Sequence, residues 1–437
     1  MSELFRSAFE ASLEHGSPAR QEQRRSAYAR FVSLGLPTSR DEDWKYTSLS
    51  PLGRASFGPA PADAKVALDD LKPLSFGFLG RRRAVFVNGR LDPSLSTLAT
   101  FPDGVSLSHA APAGSSVAPS QASVSLREAK DLPALDALNL ALAHDGALLA
   151  VADGVVVEEP LYLYFYSTGA GGGVPVVAVR NRVHAGRASQ MSLVEAYGGA
   201  PGTRYFTSAF TRVTLEEGAL LDHVKLQAES AAAFHVARLD VTQGRASRFR
   251  DVSVNLGAAL NRNDIDVRFE GEGGECSLEG LFMAAGEQHT DTHSRIDHAW
   301  PHCTSRELYK GVLEGKARGV FHGRILVRQG AQKTDAIQTN KNLLLSREAL
   351  VNSTPQLEIL ADDVKCKHGS TTGQLDATAL FYLRSRGLDE AAARALLTCA
   401  FASDVVGRLA VPEVRAGLEA YLRTRLPVAG GAEEAVA

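Results

Sequence analysis

Cys366 and His368 stand two positions apart in the strand-like run LEILADDVKCKHGSTTGQLD. On a strand, positions i and i+2 share a face, roughly 6.5–7 Å apart. A thiol and an imidazole so placed suit two kinds of chemistry: ligation of a soft metal, or a local acid–base pair. Upstream, His289, His293, His298 and His302 crowd together with Cys303. Strand alternation puts His289 and His293 on one face and His298 on the other. These spacings do not form the two short-spaced pairs of a structural zinc site. Hydrogen bonding within strands and turns is the simpler reading, and zinc the less favoured one. Asp291, Asp297, Asp335 and Asp363 lie along the same stretch, but nothing in their spacing specifies a carboxylate pair at working distance.

The elements that must position these residues are strands. From about Val151 to Gln374, runs such as VVVEEPLYLYFYS, FTRVTLEEGALLDHVKLQ and FHVARLDVTQGRASRFRDVSVN alternate apolar and polar residues and favour β-branched types. Turns around Gly186, Gly218, Gly244 and Gly274 separate them, at intervals of 32, 26 and 30 residues. Such spacing suits a sheet sandwich or a stacked β-solenoid, and the recurrence favours the solenoid. A solenoid needs caps at its ends, and flanking helical regions are the expected source.

Helical periodicity marks both flanks. Phe5, Phe9 and Leu13, then Tyr28, Phe31 and Leu34, precede a stop at Gly35 and Pro37. A linker is expected near Pro59–Ala64, a strand at AVFVNGRLD turning on Asn88–Gly89, a loop over Ala110–Ser123, and a short helix over Asp136–Ala150. After Gln374, Asp376 and Asp389 read as N-caps and Pro412 as a first-turn proline. Leu380, Phe381 and Leu383 supply the first helix's apolar contacts; Leu396, Leu397, Ala400, Phe401 and Val405 form the second's apolar stripe. The tail PVAGGAEEAVA reads as disordered.

The bulk numbers exclude several classes. A net charge of −3 gives no basic excess for nucleic acid. No window approaches the roughly 18–20 apolar residues of a membrane span. The N-terminus does not read as a secretory signal. Cys276, Cys303, Cys366 and Cys399 form no CxxC pair, which suits free thiols in a reducing cytoplasm. Neither a P-loop nor a G-x-S-x-G or HExxH motif occurs, and GAGGGV lacks the context of a nucleotide fingerprint.

Several long strings (HTDTHSRIDHAWPHCTSRELYKG, LYKGVLEGKARGVFHGRILV, DAIQTNKNLL and LEILADDVKCKHGSTTGQLD) give the chain a resemblance to the SufB/SufD family of iron–sulfur cluster assembly proteins, nearest to its SufD branch. SRDEDWKYTSLSPL extends it weakly to the N-terminus. The resemblance implies a mainly β fold: a right-handed parallel β-helix over residues 141–375. An N-terminal region with helices, short strands and a linker would occupy 1–140, and a helical docking domain with its tail 376–437.

It further implies a non-catalytic cytoplasmic scaffold subunit that pairs with SufB, docks the SufC ATPase and contributes to iron entry and cluster formation at the SufB–SufD contact. No tightly bound cofactor is implied, only transient iron or a nascent Fe–S cluster. In that picture His368 of the C-x-H-G motif is the first metal-site candidate and Cys366 the second. Gln338, Thr339, Asn340 and Lys341 belong to the SufB contact. Phe381, Arg384, Arg386, Phe401 and Asp404 belong to SufC docking. Where SufB-like chains carry a cysteine, this chain has Asn340, which cannot carry persulfide sulfur. The alternatives are a β-helix carbohydrate-active enzyme and a SufB-like scaffold acting as a homodimer, and self-pairing of the isolated chain is a further expectation.

Overall fold

The computed structural model describes residues 4–14, 16–109, 131–169 and 173–425. The Ala110–Ser123 loop, the centre of GAGGGV and the C-terminal tail lie outside the described residues. Helix α1 (Arg6–Leu13) leads to α2 (Pro18–Leu34). Ser17 caps α2 by accepting the Arg20 N–H, and Gly35 at φ 70° ends it, as the periodicity predicts. A single 3-10 turn at Glu42–Trp44, α3 (Ser50–Gly53), β1 (Phe57–Pro59) and α4 (Leu68–Leu71) follow. Strands β2 (Arg82–Val87) and β3 (Arg90–Leu91) form the expected hairpin on Asn88 and Gly89, both at positive φ. Next come β4 (Val105–His109), α5 (Ala134–Leu142) and β5 (Ala147–Val151). The helix expected over Asp136–Ala150 therefore stops early. A Cβ at Gly146 would lie 1.9 Å from the Arg180 carbonyl oxygen, so the chain here runs tight against the next coil.

The solenoid strands are β6 (Leu161–Ser167), β7 (Val174–Ala185), β8 (Gln190–Gly199), β9 (Phe206–Leu215), β10 (Leu220–Ala228) and β11 (Phe234–Gln243). They continue through β12 (Arg248–Asn255), β13 (Leu260–Phe269), β14 (Glu275–Ala284), β15 (His289–His298) and β16 (Thr304–Leu313). The last are β17 (Arg318–Val327), β18 (Asp335–Leu344), β19 (Leu350–Ile359) and β20 (Lys365–Gly373). Each coil gives one strand to each of two sheets. Odd-numbered strands from β5 to β19 stack parallel in one, and even-numbered strands from β6 to β20 in the other. This is a parallel β-solenoid. Its apolar interior holds Leu193, Val213, Leu239, Phe249, Phe269, Leu278, Ile296, Phe321 and Ile325.

One corner carries a ladder of left-handed residues, one per coil: Ala188, Gly218, Ala246, Gly273, His302 and Lys333. Each donates its N–H to a carbonyl of the following coil, as His302 does to Gln332 and Lys333 to Asp363. The turn repeat read from glycines is thus real, but Ala188 and Ala246, not Gly186 and Gly244, take the left-handed conformation. Gly186 and Gly244 are needed for space: a Cβ on either would come within 3 Å of the preceding coil's backbone.

Helices cover the flanks of the solenoid. Phe5, Ala8, Phe31, Leu135 and Leu138 pack on the outer face of one sheet, against Val176, Phe206, Phe234 and Leu260. On the other sheet, α7 (Glu390–Val406) and α8 (Pro412–Arg425) pack Val405, Val406, Val414 and Leu418 against Val224, Val252, Val254 and Leu281. Between β20 and α7 lies α6 (Ala377–Ser385), which buries no residue. Among the described residues, the helices pack on the sheet faces rather than over the solenoid's ends, where caps were expected. Antiparallel pairing closes the N-terminal end, β3 on β2 and β4 on β5. Beyond β19 and β20 no further strand pairs among the described residues, so both sheets end on an open edge. No helix among the described residues is long and apolar enough to cross a membrane.

Candidate functional site at the open end of the solenoid

Cys366 and His368 lie on β20, the terminal strand of its sheet. Register places Cys366 beside Ala336 and His368 beside Gln338. Ala336 and Gln338 face the interior and are fully buried. The two candidates therefore point the same way, into the mouth of the last coil, as i and i+2 alternation requires. His368 is exposed and Cys366 half-buried at the margin of the apolar core. Burial pushes the Cys366 thiol up, an Ala336 backbone bond opposing it and Asp335 adding to it. A bound cation would have to displace that proton for sulfur to ligate.

The layer beneath is polar. Gln338 donates from Nε2 to Glu307 Oε2 at 2.6 Å. Burial raises the Glu307 carboxyl to about 7, against bonds from Ser294 and Gln338 that lower it. Asn340 donates to the Tyr309 carbonyl at 3.2 Å and accepts from Ser353 at 2.8 Å, while Ser370 bonds Ser353 at 2.8 Å. The mouth is thus lined by a hydrogen-bonded chain running inward from Ser370 through Ser353 to Asn340. A Cβ at Gly323 would sit 2.0 Å from Gln338 Nε2, so the amide takes up the space that a side chain there would need. Deeper in, His223 bridges Asp251 at 2.7 Å and Glu195 at 3.3 Å. Burial would lower its imidazolium, but the two carboxylates outweigh it and hold the group up at about 9. Sequence reading missed this interior set, whose members are single polar residues on otherwise ordinary strands.

The four expected SufB contacts fall on two faces of β18. Gln338 and Asn340 are fully buried and face inward; of the four, only Thr339 and Lys341 are on the outer face, and Lys341 is exposed. The strand carrying them, β18, is one coil in from the end, flanked by β16 and β20, so it offers no free edge. The free edges belong to β19 and β20. Pro355 in β19 fits that position, since a residue without an N–H is tolerated at an edge.

The docking candidates also divide. Phe381 on α6 is 73% exposed, and Arg384 and Arg386 are exposed beside it. Leu380 and Leu383, expected to make apolar contacts, are half-buried. Phe401 and Asp404 instead hold α7 to the solenoid. Lys310 Nζ lies 2.8 Å from Asp404, donates to the Phe401 carbonyl at 3.0 Å, and sits 4.4 Å over the Phe401 ring. On α7 the fully buried positions are mainly alanines, Thr398 and the two valines, rather than Leu396 and Leu397.

The histidine-rich run resolves into separate roles. His289 meets Thr47 at 2.8 Å, His298 is buried within bonding distance of Ser305, and His302 is one rung of the corner ladder. Cys303 and Cys276 are buried core thiols, and Cys399 is half-buried on α7. Each carboxylate considered for glycan chemistry faces a cation: Asp291 with Arg262, Asp297 with Arg328, Asp335 with Arg306 and Asp363 with Lys333.

Comparison with known proteins agrees with this architecture. Residues 165–401 match the family described as "SUF system FeS cluster assembly, SufBD core domain". Residues 1–163 match the "SufBD protein N-terminal region". The chain is 32% identical over 425 residues to the iron–sulfur cluster assembly protein SufD of Escherichia coli (strain K12), covering 97% of this chain and 96% of that one. It is 33% identical over 414 residues to an iron–sulfur cluster assembly SufBD family protein of Synechocystis sp., covering 92% and 90%. With both halves of the chain matched and the two relatives aligned nearly end to end, this protein belongs to the SufB/SufD family of iron–sulfur cluster assembly proteins.

Proposed function

We propose that this chain is a SufD-type scaffold subunit, without catalytic activity of its own, that pairs with a SufB partner through its open solenoid end and docks a SufC ATPase on its C-terminal helices. The observation that carries the reading is the asymmetry of the solenoid. One end is closed by antiparallel strands, and the other leaves the outer edges of β19 and β20 without a partner strand among the described residues, with Cys366 and His368 in its mouth. Free edges satisfy their backbone groups by pairing with another chain, which also fixes register. A partner seated there would enclose His368 and Cys366, turning an exposed imidazole and a half-buried thiol into ligands for incoming iron or a nascent cluster. The exposed α6, with Phe381, Arg384 and Arg386, suits a docking surface for an ATPase whose motions pull on this end.

Co-expression with the SufB and SufC of the same organism, followed by native mass spectrometry, tests the assembly. One copy of this chain with one SufB and two SufC is expected. His368→Ala should leave that assembly intact and abolish cluster accumulation under anaerobic reconstitution. Normal accumulation in the variant would remove His368 from the chemistry, and a chain that ignores both partners would overturn the scaffold reading.

A further inference from the structure

On the solenoid flank, well removed in sequence from Cys366 and His368, three ligand-type side chains from three parts of the chain meet. His293 on β15 and His322 on β17 are register neighbours, with ring centroids 4.8 Å apart and planes inclined at 68°. Asp43, from the 3-10 turn Glu42–Trp44, closes over them, and one donor atom from each of the three lies within 4.8 Å of the others. They line a cleft of about 260 Å³.

The segment bearing Asp43 is fixed in place. Buried Arg262 donates to the Asp43 carbonyl at 2.8 Å and stacks on Trp44 at 4.1 Å, and Thr47 meets His289. Behind His293, the fully buried Asp291 places Oδ1 3.2 Å from Nε2. A carboxylate behind an imidazole is the arrangement that orients metal-binding histidines. His322 Nε2 is buried without a hydrogen-bond partner, an orphan that an ion would satisfy. Of the four arginines around the cleft, Arg238, Arg262 and Arg324 each face a carboxylate, Asp266, Asp264 and Glu358 respectively, which tempers their repulsion of a cation; Arg295 is the fourth.

We propose that Asp43, His293 and His322 form a binding site for a divalent first-row transition ion, which fastens the N-terminal segment to the solenoid. Two imidazoles and one carboxylate suit iron(II), cobalt(II), manganese(II) or zinc(II), with remaining positions open to water. The site stands apart from the open end and does not depend on the scaffold reading.

The test is cobalt(II) titration of the full-length Cys366→Ser/His368→Ala protein, which excludes the open end, read by visible d–d absorption and by metal analysis after desalting. One equivalent is expected in that background. His322→Ala should abolish it, and Asp43→Asn, which puts a neutral amide in place of the charged ligand, should weaken it. Asp43 is exposed, so that variant is informative even if His322→Ala folds poorly. Hydrogen exchange of residues 38–48 should slow on adding cobalt(II) only where the site is intact. No bound equivalent, or equal affinity in background and Asp43→Asn, overturns the proposal.

Discussion

The open end places an exposed imidazole above a buried, readily protonated carboxyl. Glu307, raised to about 7 from 4.5, holds its proton more tightly folded than unfolded. Its linked stability is fully present below pH 4.5 and is lost as pH rises through about 7. Glu307→Gln keeps an acceptor for Gln338 and removes the ionisation. The variant should match the parent in thermal unfolding at pH 5 and exceed it at pH 8, by about 2–3 kcal/mol. A loss at both values would mean that Glu307 is charged in the folded protein. Strand alternation put Cys366 and His368 on a shared face, and only the family resemblance singled them out as a candidate site. Glu307 was not legible: it stands between Arg306 and Leu308 in a run that gives no sign of which carboxylate lies inside.

At the scale of elements, the decisive contact is Lys310 on β16 against α7. An almost buried ammonium there meets the Asp404 carboxylate, the Phe401 carbonyl and the Phe401 ring. Lys310→Ala should destabilise the docking of α7 and α8 by about 1.5–3 kcal/mol, the range for a hydrogen bond to a charged group. Hydrogen exchange should then show protection lost over 390–425 while the solenoid strands keep theirs. Loss across the whole chain would mean that these helices and the solenoid unfold as one unit. Strand and helix existence could be read from alternation and from caps such as Asp376 and Asp389. The split between exposed Phe381 and engaged Phe401 could not, since both stand in apolar helical runs and only packing on β16 separates them.

For the molecule as a whole, the unequal ends predict behaviour in isolation. A long open edge is a template for pairing, and this one is fringed by exposed Ile359 and Leu360. The purified chain should therefore dimerise with rising concentration in light scattering after size exclusion. Ile359→Lys with Leu360→Lys should hold it monomeric at unchanged thermal stability, since both positions are already in solvent. Dimers that survive this pair of substitutions would place self-association elsewhere, with the exposed face of α6 the next surface to test.

The sequence by itself determined the repeat, the mainly β solenoid with its helical flanks, the family, and the shared face of Cys366 and His368. All of these follow from local periodicity or from long strings in order. Tertiary structure alone decided which end is closed, that Gln338 and Asn340 turn inward, and that Phe401 and Asp404 serve the fold. It also brought Asp43 to His293 and His322. In a solenoid, neighbours in space are a whole coil apart in sequence, so the side chains that meet across coils leave no short-range spacing to read.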